Sequence, residues 1–327
     1  MFSYRHAFHA GNHADVLKHA MLIAIVRHLV QKEAPLAVFD THAGAGLYRL
    51  DGDYAATSGE AAQGVLRLLA IPRSTGASPP AAAHQPQPAD ALPSRASVPT
   101  TRATPTEPLA PLLQDYAALV AGFNTKGSLK IYPGSPFILQ RLLRERDKLK
   151  LFELHPTDAK TLSANVAQLE AGRQVAVLRE DGFEALRKFL PPPQRRALVL
   201  CDPSYEIKSD YARVAAAITD ALARFATGCY VVWYPIIPRP EAHDLARKLK
   251  AIATKVGKPW LNATLTVKSS RIVTTASGAQ ARPGLPASGM LVINPPHTLK
   301  TALEPALPQL AQWLAQDRHA GFTLDAG

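Results

Sequence analysis

Cysteine is almost missing from this chain: Cys201 and Cys229 are the only two in 327 residues. That excludes a disulfide scaffold and any zinc module built on thiolates. Long apolar runs are missing too. None approaches the ~20 residues needed to span a bilayer, so no membrane association is expected. The opening stretch MFSYRHAFHAGNHADVLKH lacks the apolar centre of a signal peptide, and a cytoplasmic protein is expected. Acidic residues are short as well. Asp and Glu number 26 against 37 Lys and Arg, a formal net charge of +11, which points to a polyanionic partner.

What is present suffices for one large domain or two small ones, each with a real core, since 47% of the residues are hydrophobic and 19% charged. One tract stands apart. Residues 72–111 hold ten of the 28 prolines, with Leu92, Val98 and Leu109 as their only large aliphatics. Such a segment cannot bury enough apolar surface to offset its ordering entropy, and its composition predicts a disordered insertion. It carries a net charge of only +1, so the basic excess belongs to the rest of the chain.

Elsewhere strand-like and helix-like patterns alternate. Short, nearly continuous apolar runs predict buried strands over 36–40, 149–153, 175–178, 197–202, 230–234, 261–267 and 290–294. Helical patterns cover 14–33, 112–122, 136–147, 157–169, 182–189, 210–225 and 240–256. Alternation of this kind implies an open, mostly parallel α/β sheet, in which ligands bind beyond the carboxyl ends of the strands.

Those ends read, in order, Asp40-Thr-His42-Ala-Gly44-Ala-Gly46, Glu153-Leu-His155, Asp181-Gly182 and Asp202-Pro203-Ser204-Tyr205. The glycine turn lets a backbone approach a ligand closely, yet it is neither the dinucleotide G-x-G-x-x-G pattern nor a phosphate loop. A carboxylate at Glu153 suits the vicinal hydroxyls of a ribose. Its distance from the turn is 107 residues where about 20 is usual, a gap that an insertion between the first two strands explains. Asp181 suits the exocyclic amine of an adenine, or equally a helix cap.

Asp202-Pro203-Ser204-Tyr205 is the sharpest local signal. It is similar to the Asp-Pro-Pro-Tyr motif of methyltransferases acting on exocyclic amines of bases. An adenine N6 lone pair is delocalised into the ring. A carboxylate (Asp202) and a neighbouring carbonyl (Pro203) that accept both N–H hydrogens aim that lone pair at a methyl donor and stabilise the positive charge that develops. Tyr205 would be the platform on which the extruded base stacks. Ser204 in place of the second proline restores an N–H and loosens φ.

The N-terminus concentrates histidine, with five of the 11 at positions 6, 9, 13, 19 and 28. None has the spacing of a metal motif, and no metal is expected. A basic, aromatic arm (Tyr4, Arg5, His6, Phe8) suits a polyanion and a base better. The helix over 14–33 reads as amphipathic, with Lys18 and His19 near its start able to approach a methionine carboxylate. A second basic region, 237–282, holds nine Lys and Arg and suits phosphate contacts.

Taken together, SYRHAFHAGNHADVLKH (3–19), DTHAGAG (40–46), YPGSP (132–136), ELHP (153–156), EDGF (180–183), DPSYE (202–206), FATGCYVVWYP (225–235) and SGMLVINPP (288–296) resemble the RlmJ-type 23S rRNA (adenine-N6) methyltransferases. The resemblance runs in family order over nearly the whole chain. It implies a Rossmann-like S-adenosylmethionine-dependent methyltransferase fold: a mostly parallel seven-stranded sheet with helices on both faces. The chain would be a single domain, 1–327, with a helical subdomain inserted over 52–130. It implies S-adenosylmethionine as methyl donor, 23S rRNA as partner and a monomeric enzyme. By position, Lys18, His19, His42, Ser135, Glu153, Asp181, Gly182 and Asp202 would contact the cofactor. Asp202, Pro203 and Tyr205 would be catalytic, and Tyr4 and His6 would meet the substrate. The tract 72–111, Ser204 and the longer loop around 271–288 depart from the family pattern. A DNA adenine-N6 methyltransferase and a non-catalytic RNA-binding protein are the alternative readings of the same residues.

Overall fold

The apolar runs pair into one sheet, and the side-chain period of two decides which helices each strand meets. A computed structural model describes residues 6–52, 59–70, 108–125, 128–271, 273–274, 280–281 and 284–327. Tyr4 and the tract 72–111, apart from its last four residues, lie outside the described residues.

In chain order the first half comprises α1 (His13–Leu29), β1 (Ala37–Asp40), β2 (Leu47–Arg49), α2 (Glu60–Gln63), α3 (Val65–Leu69), α4 (Pro111–Ala121), β3 (Ile131–Pro133), α5 (Ser135–Leu142), β4 (Lys148–Phe152) and α6 (Pro156–Ala167). There follow β5 (Val175–Leu178), α7 (Gly182–Phe189), β6 (Ala197–Cys201), α8 (Ser209–Arg224), β7 (Cys229–Ile236), α9 (Pro240–Lys255), β8 (Trp260–Thr266), β9 (Val273–Thr274), β10 (Gln280–Ala281), β11 (Ala287–Ile293), α10 (Leu299–Trp313) and β12 (Gly321–Ala326). The main sheet has the order β12-β8-β11-β7-β6-β1-β4-β5. Strands β5, β4, β1, β6 and β7 run parallel, whereas β11 is antiparallel to β7 and β8, and β12 is antiparallel to β8. The seven expected strands are all there, and an eighth, β12, extends the edge. Its sequence, Gly-Phe-Thr-Leu-Asp-Ala, has no continuous apolar run, and as an edge strand it stays partly in water.

Alternation divides the core in two. Val38, Leu149, Leu151, Leu198, Leu200 and Val231 face one layer with α1, α4, α5 and α10. Phe39, Phe152, Val199, Cys201, Tyr230 and Val232 face the other, with α7, α8 and α9. This is the Rossmann-like α/β arrangement, helices on both faces. The chain lays down β1, β4 and β5 in one direction, then crosses back to β6 and β7. The reversal lies between β1 and β6, where such sheets open a crevice.

Two further points concern the first layer. Helices α2, α3 and α4 lie between β2 and β3, which pair antiparallel with Tyr48 opposite Tyr132. Val65, Leu68, Leu113 and Tyr116 from these helices join the main core rather than a separate one. Helix α1 differs from the amphipathic expectation. His13, Asp15, Lys18 and His19 are buried along with its apolar residues, because α4, α5, α10 and β11 pack around it. Among the described residues, no helix is long and apolar enough to cross a membrane.

Candidate active site

At the crevice, a cavity of about 490 Å³ gathers the strand ends. Its lining includes His6, Lys18, His19, His42, Ser135, Glu153, Asp181, Gly182, Asp202, Pro203 and Tyr205, so the sequence-predicted site residues within the described part all meet at one place. Tyr4 alone falls outside the described residues.

The glycine turn after β1 is bound to the end of β4. Glu153 accepts hydrogen bonds from Gly44 N at 2.8 Å and His155 N at 2.7 Å, one on each carboxylate oxygen. The 107-residue separation is immaterial because β4 is the immediate neighbour of β1. Each oxygen keeps a second lone pair for a ligand hydroxyl, and burial raises the carboxyl above its ordinary range. Gly44 itself sits at φ +61°, where a side chain is disfavoured.

Asp40, the last residue of β1, is fully buried. Ser135 Oγ donates to one of its oxygens at 2.6 Å, and His42 N lies 3.4 Å from the other. Burial, with the charge of Asp202 behind it, pushes Asp40 up to about 7 against the pull of Ser135. Ser135 reaches this position as the first residue of α5, turned in by the Tyr-Pro-Gly-Ser-Pro stretch, which from sequence alone reads only as a turn before a helix. Burial lowers His42 to about 4 and leaves it neutral. Thr41 Oγ1 donates to Leu200 O and so accepts from His42 Nδ1 at 2.8 Å, leaving Nε2 as an acceptor.

Asp181 caps α7. One oxygen accepts from Phe183 N and Glu184 N, and the other from Arg213 at 2.5 Å. Burial would raise this carboxyl, but the Arg213 hydrogen bond and charge outweigh it and hold it low. Gly182 follows, where a Cβ would stand 2.1 Å from Thr41 O. That contact joins the end of β1 to the start of α7.

Beyond β6 the chain turns through Asp202-Pro203-Ser204-Tyr205. Tyr205 adopts φ +55°, rare for a residue with a side chain and often found at working sites. Its hydroxyl donates to Trp233 O at 2.7 Å, and its ring packs against Tyr211 and Trp233 at centroid distances of 4.6 and 5.9 Å. The residue is only 2% exposed, although it borders the cavity. Asp202 is paired with Lys18, whose Nζ donates to Asp202 Oδ2 at 2.6 Å and to Asp15 Oδ1 at 2.8 Å. Burial opposes the Lys18 charge, but the two carboxylates raise its pKa and keep it an ammonium. Sequence reasoning had not picked out Asp15, Trp233 or Arg213. Only the i, i+3 spacing of Asp15 and Lys18 offered a signal, because the other two come from distant elements.

The chemistry of the lining fits S-adenosylmethionine. His19 is buried against Tyr132 (2.7 Å from Nδ1 to the hydroxyl), and its Nε2 has no partner. A buried polar atom on a cavity wall is costly unless a ligand meets it. Acceptors at Glu153 suit a ribose, and the carboxylate of Asp202 suits a cationic centre. Among the described residues, no group of His, Cys, Asp or Glu is arranged to hold a metal ion.

The family described as "Ribosomal RNA large subunit methyltransferase D, RlmJ" matches residues 33–74 and 100–325. "Ribosomal RNA large subunit methyltransferase J" of Escherichia coli (strain K12) is 37% identical over 310 residues, covering 95% of this chain and 93% of that protein. The protein of the same name from Haemophilus influenzae is 34% identical over 326 residues, covering 99% and 98%. A crystal structure of a protein from Legionella pneumophila str. Philadelphia 1 is 28% identical and superposes with a TM-score of 0.75 over 98% of both chains. Sequence and fold agree at full length: the chain belongs to the RlmJ family of ribosomal RNA large subunit methyltransferases.

Proposed function

We propose that this protein transfers the methyl group of S-adenosylmethionine to N6 of one adenine in 23S rRNA, acting in the cytoplasm as a monomer. The observation that carries the reading is the meeting of Asp202 with Glu153, Asp181 and the glycine turn on one cavity at the sheet's reversal. The cofactor supplies an electrophilic methyl carbon on a sulfonium. Glu153 would take its ribose hydroxyls, His19 and Lys18 would meet its carboxylate, and Ser135, His42, Asp181 and Gly182 would enclose the remainder.

The target base leaves its stack and enters beside Pro203 and Tyr205. Asp202 and the Pro203 carbonyl accept the two N6 hydrogens, which frees the nitrogen lone pair from the ring. That lone pair forms the N–C bond as the S–C bond breaks. The positive charge on N6 is then relieved by loss of a proton, for which the burial-raised Asp202 carboxylate is the first acceptor. The buried Tyr205 borders the base site, and Tyr4 and His6 of the arm complete it.

Incubation with labelled cofactor and unmodified 23S rRNA should yield N6-methyladenosine, and Asp202→Ala should abolish it. Ser204→Pro should keep or raise the rate. A matched DNA that is methylated faster than rRNA would favour the DNA enzyme. Folded protein that binds rRNA but yields no product from any RNA would leave only the binding role.

A further inference from the structure

We propose that Asp15 is a positioning residue for methyl transfer: it shares the Lys18 ammonium with Asp202, so that the Asp202 carboxylate keeps a net negative environment and an open acceptor site for the adenine amine. The inference rests on the catalytic reading of Asp202 given above.

The geometry is that of a buried chain of charges. Asp15 and Lys18 stand one turn apart on α1, with side chains 1% and 5% exposed, while Asp202, at 14%, is the most exposed of the three. The ammonium bridges Asp15 Oδ1 and Asp202 Oδ2. The other Asp15 oxygen accepts from Gly11 N at 2.9 Å and from His6 Nε2 at 3.0 Å. Asp15 therefore cannot swing away from Lys18 without breaking bonds to the backbone and to the arm.

Charge bookkeeping gives this arrangement its consequence. Two carboxylates around one ammonium leave a net charge of one electron, and Asp202 is where it faces the cavity. Attack by N6 develops positive charge there, and a buried negative charge stabilises it strongly because the surroundings screen little. Without the charge on Asp15, Lys18 and Asp202 form a neutral one-to-one pair. The ammonium then draws wholly onto Asp202 and cancels the charge that faces the base. Asp15 also holds His6, so the arm and the catalytic carboxylate hang from one buried group.

The test begins with the wild type and Asp202→Ala: product from the first and none from the second establishes the reading on which the proposal rests. Product from Asp202→Ala would overturn that reading, and with it the Asp15 proposal. Asp15→Asn keeps the shape and removes the charge. Its single-turnover rate should fall on the order of tenfold to a hundredfold, with cofactor affinity within about twofold of wild type. In a Lys18→Met background the same change should cost little more, because its route through Lys18 is already gone. A wild-type rate for Asp15→Asn, or a full additional loss on top of Lys18→Met, overturns the proposal. Should Asp15→Asn fail to fold, proton exchange at the Lys18 ammonium decides, followed by NMR on ¹⁵N-lysine protein. Asp15 should keep that exchange slow in Asp202→Asn, and exchange as fast as that of exposed lysines would overturn the shared arrangement.

Discussion

Asp40 has no ligand role in the proposal, yet it bears on Ser135, His42 and Asp202 at once. Its folded-state pKa is about 7, above the ordinary 3.8, so the native protein binds a proton that the unfolded chain has released across that interval. Stability from this group is complete below the ordinary range and is lost as pH rises through about 7. Asp40→Asn should therefore remove a decline in stability between about pH 4 and 7, read as the difference in melting temperature from wild type across that window. His19 and His42 act in the opposite sense. Burial lowers them to about 3 and 4, so their contribution is present above 6.5 and lost as pH falls. The mutant-minus-wild-type difference isolates the carboxyl from the imidazoles.

Among elements, the junction of β1 with α7 is the tightest contact at the site. Gly182→Ala would place a methyl 2.1 Å from Thr41 O, and backbone on both sides cannot yield as a side-chain tip can. Overpacking of this kind costs about 1–3 kcal/mol, and thermal unfolding should show a lowered midpoint with weakened cofactor binding. How far the elements were legible from sequence follows the same physics. Strands such as 197–201 and 37–40 announce themselves because burial on both faces demands continuous apolar runs. Helix α10 went unread since Pro305 and Pro308 lie inside it and read as breakers. Strand β12 is not legible because Thr323 and Asp325 interrupt its apolar residues. The carboxylates at strand ends were legible one by one, since a turn after a buried strand is a recognisable place. Their electrostatics were not, because Asp15, Arg213 and Trp233 reach them only through the fold.

At the scale of the whole molecule, the proline-rich stretch raises the question of what the extra length does. The described chain stops at Ala70 after α3 and resumes at Pro108 before α4, both of which border the main core. Replacing residues 72–107 by a short Gly/Ser linker should change stability by less than about 1 kcal/mol, because closure entropy varies slowly with loop length. Methylation of 23S rRNA by that variant should match wild type, and a large drop in melting temperature would show that the segment packs.

The burial of α1 carries a consequence for biosynthesis. The helix precedes every strand of the sheet in the chain, yet it packs against β11 and α10, which follow nearly all of them. Lys18 thus reaches Asp202 in its final setting only after residues 287–313 have left the ribosome.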